Sequence, residues 1–181
     1  LMVLVNALPA IENITIDCDN VSKKLQEAYT LDQKMRQPGA KYDRGVDHQN
    51  MTIVASAIEN CGVSEIKKLH KQDIEAIFFI VQHSDLKHMK KHYPMLKELA
   101  QDGKVNMGAI ATMQDRILML EGKLQRYGTQ MTMNYVTEKL EVYSLENPEY
   151  VNKRRTEVGL GPLEDYVKQF GVEFNVKQKE L

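Results

Sequence analysis

Residues Ala76-Ile77-Phe78-Phe79-Ile80-Val81 form the longest apolar run in the chain. It is far shorter than the ~20 residues that cross a bilayer. With Ile74 ahead of it, the run is apolar on every side of a helix. The spacing therefore predicts a helix over about 72–83, buried at the centre of a helical core. Such a helix must be covered by amphipathic neighbours, and the rest of the chain supplies them. A composition that is 43% hydrophobic gives enough apolar surface for that core.

Two helices precede it. The stripe Val21, Leu25, Ala28, Asp32, Met35 has helical spacing, with Asp19 or Asn20 as its cap and Gln37-Pro38-Gly39 as its stop. A second stripe, Val46, Asn50, Ile53, Val54, Ala57, Ile58, Cys61, marks a helix over about 43–61, closed by Gly62. Downstream, Ser84 is expected to cap a helix that starts at Asp85, which Pro94 divides into two short pieces ending at Asp102-Gly103. A helix over about 107–121 follows; its second half, Ile117-Leu118-Met119-Leu120, is apolar on all sides and should be buried. The period then changes to alternation rich in Tyr, Thr, Val and Met over 125–135 and 140–144, which predicts a β-hairpin turning near 137–139. Asn147-Pro148 opens a helix to about Val158, Pro162 opens a last one to Phe170, and a polar tail follows from Gly171.

The expected fold is thus α+β and predominantly helical: one domain over 1–181, a helical bundle with a β-hairpin packed against it. Within it, 1–18 is an N-terminal segment, 19–122 the helical part, 123–146 the hairpin and 147–171 the C-terminal helices. The apolar stretch Leu1–Ala10 is expected to pack as structure. No segment reads as a membrane span, and the reading as a soluble chain leaves cytoplasmic and exported locations both open. A formal net charge of −1 argues against nucleic acid as the partner. The basic cluster Lys87, His88, Lys90, Lys91, His92 reads as a solvated helix face. Cys18 and Cys61 form no CxxC; free thiols are favoured, Cys61 packing as a small hydrophobe at the end of its stripe.

No phosphate loop, dinucleotide-binding glycine motif, zinc-protease helix, serine-hydrolase elbow or calcium loop is present in the sequence. The candidates for chemistry are instead polar residues at apolar places. His83 shares a face with Phe79 and Ile80 and is a general base or a ligand for a metal, or else a core histidine bonded to a carbonyl or to Asp85. Asp115-Arg116 precedes an apolar half-helix and offers an acid–base or orienting carboxylate beside an anion-holding guanidinium, or a structural network. Asp32 and Asn50 occupy core positions of their stripes. Gln125, Tyr127, Gly128, Thr129 and Gln130 gather donors and acceptors at a helix-to-strand junction. Arg154-Arg155 near a helix end is read as structural.

Taken together, Gln82-His83-x-Asp85, Asp115-Arg116, Glu121-Gly122, Gln125-x-Tyr127-Gly128-Thr129-Gln130 and Arg155-x-x-Val158-Gly159-Leu160 resemble a bacterial domain-of-unknown-function family. Asp32-Gln33-x-x-Arg36 and Asp47-x-x-Asn50 fit its pattern, and the resemblance runs from about Leu31 to Tyr166. The connector departs from it, reading Gly62-Val63-Ser64 where that family often has Gly-Trp/Tyr-Pro. The resemblance implies one shared constellation and names no activity.

The leading expectation is a polar pocket that binds, and as an enzyme would hydrolyse, a small polar or anionic ligand. His83 is its base, oriented by Asp85 or Asp115; Arg116 holds negative charge; Gln125, Tyr127, Gln130, Asp32 and Asn50 position the ligand. No metal ligands, cofactor or oligomeric state are assigned. The alternatives are a non-enzymatic protein-interaction module whose polar core is structural, and a metal-dependent hydrolase.

Overall fold

The computed structural model describes residues 12–179. The segment Leu1–Ala10, expected to pack, lies outside them. The described residues form helices α1 (Val21–Lys34), α2 (Arg44–Cys61), α3 (Val63–Ile66), α4 (Lys71–Gln82), α5 (Leu86–Gln101), α6 (Met107–Leu120), α7 (Val151–Glu157) and α8 (Leu163–Lys168), with strands β1 (Met131–Asn134) and β2 (Lys139–Val142). The strands pair antiparallel, Met131 opposite Val142 and Asn134 opposite Lys139. This is the expected α+β class, predominantly helical. No helix among the described residues is long and apolar enough to cross a membrane. The chain divides into two compact units, the first ending at His88 and the second beginning at Met89.

In the first unit, side-chain pairs fix the directions of the helices. Ser22 and Gln26, early in α1, donate to the carboxylate of Asp73 in the first turn of α4, at 2.9 and 2.8 Å. Asp32, near the end of α1, meets His83 at the end of α4. These two helices therefore run parallel. Arg36, just past α1, reaches Asp47 in the first turn of α2, and Cys18, just before α1, is bonded to Cys61 at the end of α2. Hence α2 runs antiparallel to both. The buried faces are Val21, Leu25 and Ala28 on α1, Met51, Val54 and Ala57 on α2, and Ile74, Ala76, Ile77, Phe78, Ile80 and Val81 on α4. Burying each large apolar side chain contributes about 1.5–3 kcal/mol. Helix α4 is central as expected, although Phe79 is 36% exposed.

In the second unit, the hairpin packs on the C-terminal helices. Val151, Leu163, Val167 and Val172 are buried there, with Met131, Leu140, Val142 and Leu145 against them. A two-stranded sheet is marginal by itself, and this contact supplies its missing layer.

Six expectations are corrected. Cys18 and Cys61 are a disulfide, S–S 2.03 Å, because the antiparallel return of α2 brings its end to the start of α1. Pro94 does not divide its helix. It is exposed, and the helix continues because Met89, Leu96, Leu99 and Ala100 are buried with His92 along the opposite side. That burial outweighs the roughly 3 kcal/mol a helical proline costs. Buried His92 also means that the basic cluster is not wholly a solvated face, and Lys90 in it is paired with Glu121. Asp85, not Ser84, caps α5: its Oδ1 accepts from the His88 backbone N–H at 2.9 Å. The last turn of α6 is only half-buried, with Leu120 49% exposed, since the chain turns at Gly122 and returns to Asp115 further back on the helix. Finally, 126–129 is a loop rather than strand, because three of its amides are bonded to Asp115, while Gln125 keeps an isolated bridge to Leu145.

Candidate functional site

The helical period of α1 puts Asp32 on the same stripe as Leu25 and Ala28, and the residue is 1% exposed. A buried carboxylate needs partners, and it has three. The Nδ1 of His83 lies 3.0 and 3.1 Å from its two oxygens. The Gln33 Nε2 donates at 2.8 Å, and Arg36 Nη1 lies 2.9 Å away. The other arm of Arg36 donates to Asp47 at 2.8 Å, and Tyr42 donates its hydroxyl to the second Asp47 oxygen at 2.7 Å. That bond to a carboxylate, more than burial, holds the Tyr42 phenol above its ordinary pKa.

His83 is the C-cap of α4, and its side chain is 21% exposed. A carboxylate only accepts hydrogen bonds, so the nitrogen facing Asp32, Nδ1, carries a proton, and in the neutral ring the lone pair is then on Nε2. This is the arrangement by which an aspartate fixes the tautomer of a working histidine. Phe79, one turn back on α4, has its ring centroid 6.3 Å from that of His83 and stacks on Tyr29 of α1 at 5.7 Å.

Asn50 lies one turn beyond Asp47 on α2 and is 1% exposed. Neither its Nδ2 nor its Oδ1 meets a partner among the described residues, and the Oε1 of Gln82, next to His83, is likewise buried and unmatched. Asp85, expected as orienter of His83, holds His88 instead, Oδ1 to Nδ1 at 2.8 Å. Burial pushes its carboxyl up, and the bonds from His88 outweigh this and hold it below the ordinary value.

The second unit contains the other sequence-derived residues. Asp115 is fully buried on α6, and its carboxylate fills a cup made by the loop after that helix. It accepts from the backbone N–H of Arg126 (2.7 Å), Tyr127 (3.1 Å) and Thr129 (3.0 Å) and from the Thr129 hydroxyl (3.0 Å). Gln125, also fully buried, donates Nε2 to the carbonyls of Gln130 and Tyr143, at 3.0 and 2.8 Å, and accepts from the Gln130 N–H at 2.9 Å. Gln130 donates its side chain to Thr129 Oγ1 at 3.1 Å. Arg155, 2% exposed, binds the carbonyls of Gly161 and Tyr127 and lies over the ring of Tyr166, whose hydroxyl donates to the Thr129 carbonyl.

Two groups in this unit keep free capacity. Arg116 makes no hydrogen bond or ion pair among the described residues, and its Nε is buried without a partner. The Tyr127 hydroxyl likewise bonds to no described residue, and burial holds its pKa above the ordinary value. Gly128 sits at φ +70°, and a Cβ there would lie 2.7 Å from Cδ2 of the fully buried Leu163. Gly128→Ala is therefore expected to cost about 1–3 kcal/mol in urea unfolding, through strain and overpacking together.

Sequence reasoning selected Asp32, Asn50 and His83 separately; it missed that Asp32 is the partner of His83, and it did not weigh Asp73. The signal for Asp73 was present, an aspartate in the first turn of an otherwise apolar helix. Among the described residues no group of three or more His, Cys, Asp or Glu is placed to hold a metal ion.

A protein-family model matches residues 21–179, from the first residue of α1 through both clusters. The chain belongs to DUF6624, a family of unknown function. No curated protein and no solved structure matches it. Membership in DUF6624 therefore assigns no chemistry, and the reading of the two clusters rests on their geometry.

Proposed function

We propose that the Asp32–His83 pair is the working centre of a site for a small polar ligand, with His83 Nε2 as a general base toward that ligand or toward a water attacking it. The observation that supports this is the placement of a buried, triply bonded carboxylate against the inner nitrogen of a histidine whose side chain stays partly exposed. The Nε2 of His83 is bonded to no described residue, which leaves it free to meet a ligand. The carboxylate of Asp32 adjoins the His83 ring and favours a neutral polar ligand over an anion there.

A second reading applies to Asp115, Gln125 and Gln130, and a specific observation favours it. Their side chains are spent within the protein, chiefly on the 126–130 loop, so the proposal for them is a scaffold that shapes 125–130 and presents the Tyr127 side chain. The disulfide supports an oxidising, exported location for the protein.

The test is a long-range proton–nitrogen NMR spectrum of the His83 ring, recorded for wild type and Asp32→Asn and during titration with small neutral polar compounds. Wild type is expected in the Nδ1–H tautomer, with Nε2 shifting on ligand addition. In Asp32→Asn the tautomer preference should weaken and the response fade. An Nε2–H tautomer in wild type would overturn the reading.

A further inference from the structure

We infer that Asn50 is a ligand-recognition residue beside the Asp32–His83 pair, set to take a small neutral molecule by a planar amide-type edge, as in a primary carboxamide, a lactam or a ureide. This rests on the reading of that pair as the working centre. A carboxamide presents an N–H donor and a C=O acceptor side by side, and buried polar groups in native proteins are nearly always matched. Asn50 is 1% exposed and both of its polar atoms are unmatched among the described residues.

Its place in the fold ties this vacancy in hydrogen bonding to the pair. Asn50 is in the second turn of α2, on the face of Asp47 one turn earlier. Arg36 joins Asp47 to Asp32, and Asp32 carries His83, so all of these residues belong to the end of the bundle where α1 and α4 finish and α2 begins. An amide edge complements Asn50 with two parallel hydrogen bonds. A carboxylate ligand, which only accepts, would use the Asn50 N–H and leave its carbonyl unmatched. The burial of Asn50 means that a ligand reaches it only as the side chains above it move.

The experiment titrates isotope-labelled protein with hydantoin, with N,N′-dimethylhydantoin, which lacks the N–H groups, and with acetate. Hydantoin is expected to shift the Asn50 side-chain amide signals saturably, and the other two are not. Asn50→Leu should abolish the saturable shift of the His83 ring signals with hydantoin and raise the melting temperature by about 2–4 °C, since it removes an unmatched polar group from the core. The opposite result overturns the inference: Asn50 amide protons in contact with a bound water and silent to hydantoin, with Asn50→Leu lowering the melting temperature. The His83 ring signals in the same samples separate the two ideas. If Nδ1 carries the proton while Asn50 stays silent, the amide-edge inference alone falls; if Nε2 carries it, the working-centre reading falls as well.

Discussion

Asp115→Ala is expected to destabilise the protein by about 3–5 kcal/mol, the largest loss from any single substitution of a polar residue in the second unit. The substitution removes the only carboxylate that the N–H groups of Arg126, Tyr127 and Thr129 and the Thr129 hydroxyl share. A buried donor left without an acceptor costs about 1–3 kcal/mol. The total stays below the sum of four such costs because water can enter a cavity of that polarity. The damage should spread, since Arg155 and Tyr166 hold the same loop through the carbonyls of Tyr127 and Thr129. Urea unfolding of wild type and variant measures the loss. A change below about 1 kcal/mol would show that the loop finds other acceptors, and Asp115 would then be released from the scaffold role.

Loss of the Cys18–Cys61 disulfide is the other large effect, about 2–4 kcal/mol. The bond closes a loop with a sequence separation of 43, spanning α1, the turn after it and α2. Opening it returns conformational freedom to the unfolded chain, and for a loop of this length the entropic estimate is about 4 kcal/mol. The folded state keeps other ties at that end, the Ile14 and Ile16 backbone N–H groups donating to Ser56 and Asn60 at 3.0 and 3.2 Å. The check is thermal unfolding of the Cys18→Ala/Cys61→Ala variant, or of wild type with reductant, against the oxidised protein. Because the Asp32–His83 pair is at the opposite end of the bundle, its NMR signature is expected to survive. Two free thiols titrated in denatured, unreduced protein would remove the bond from the account.

The two expected losses fall on opposite sides of what could be read from the chain. Asp115 was legible as a buried polar group because it interrupts an apolar helix, yet its role was not. Whether a carboxylate meets a substrate or three backbone amides depends on a loop 11 to 14 positions away in sequence. The cysteines carried no spacing signal, since a separation of 43 is informative only once α2 is known to run back along α1.

What the sequence determined by itself is local. Helical period located the helices and put Asp32 and Asn50 on buried faces, because side-chain direction follows directly from 3.6 residues per turn. Gly62 and Pro148 marked boundaries through their own backbone preferences. What only the tertiary structure decided is every pairing across those elements. His83 sits 51 positions from Asp32, and no local rule distinguishes that carboxylate from Asp85, two residues away. Pro94 stays within a helix because burial of its neighbours outweighs its local cost. Residues 126–129 forgo a strand because a distant aspartate accepts three of their amides. In each case a long-range contact of a few kcal/mol overrode a local preference of about one.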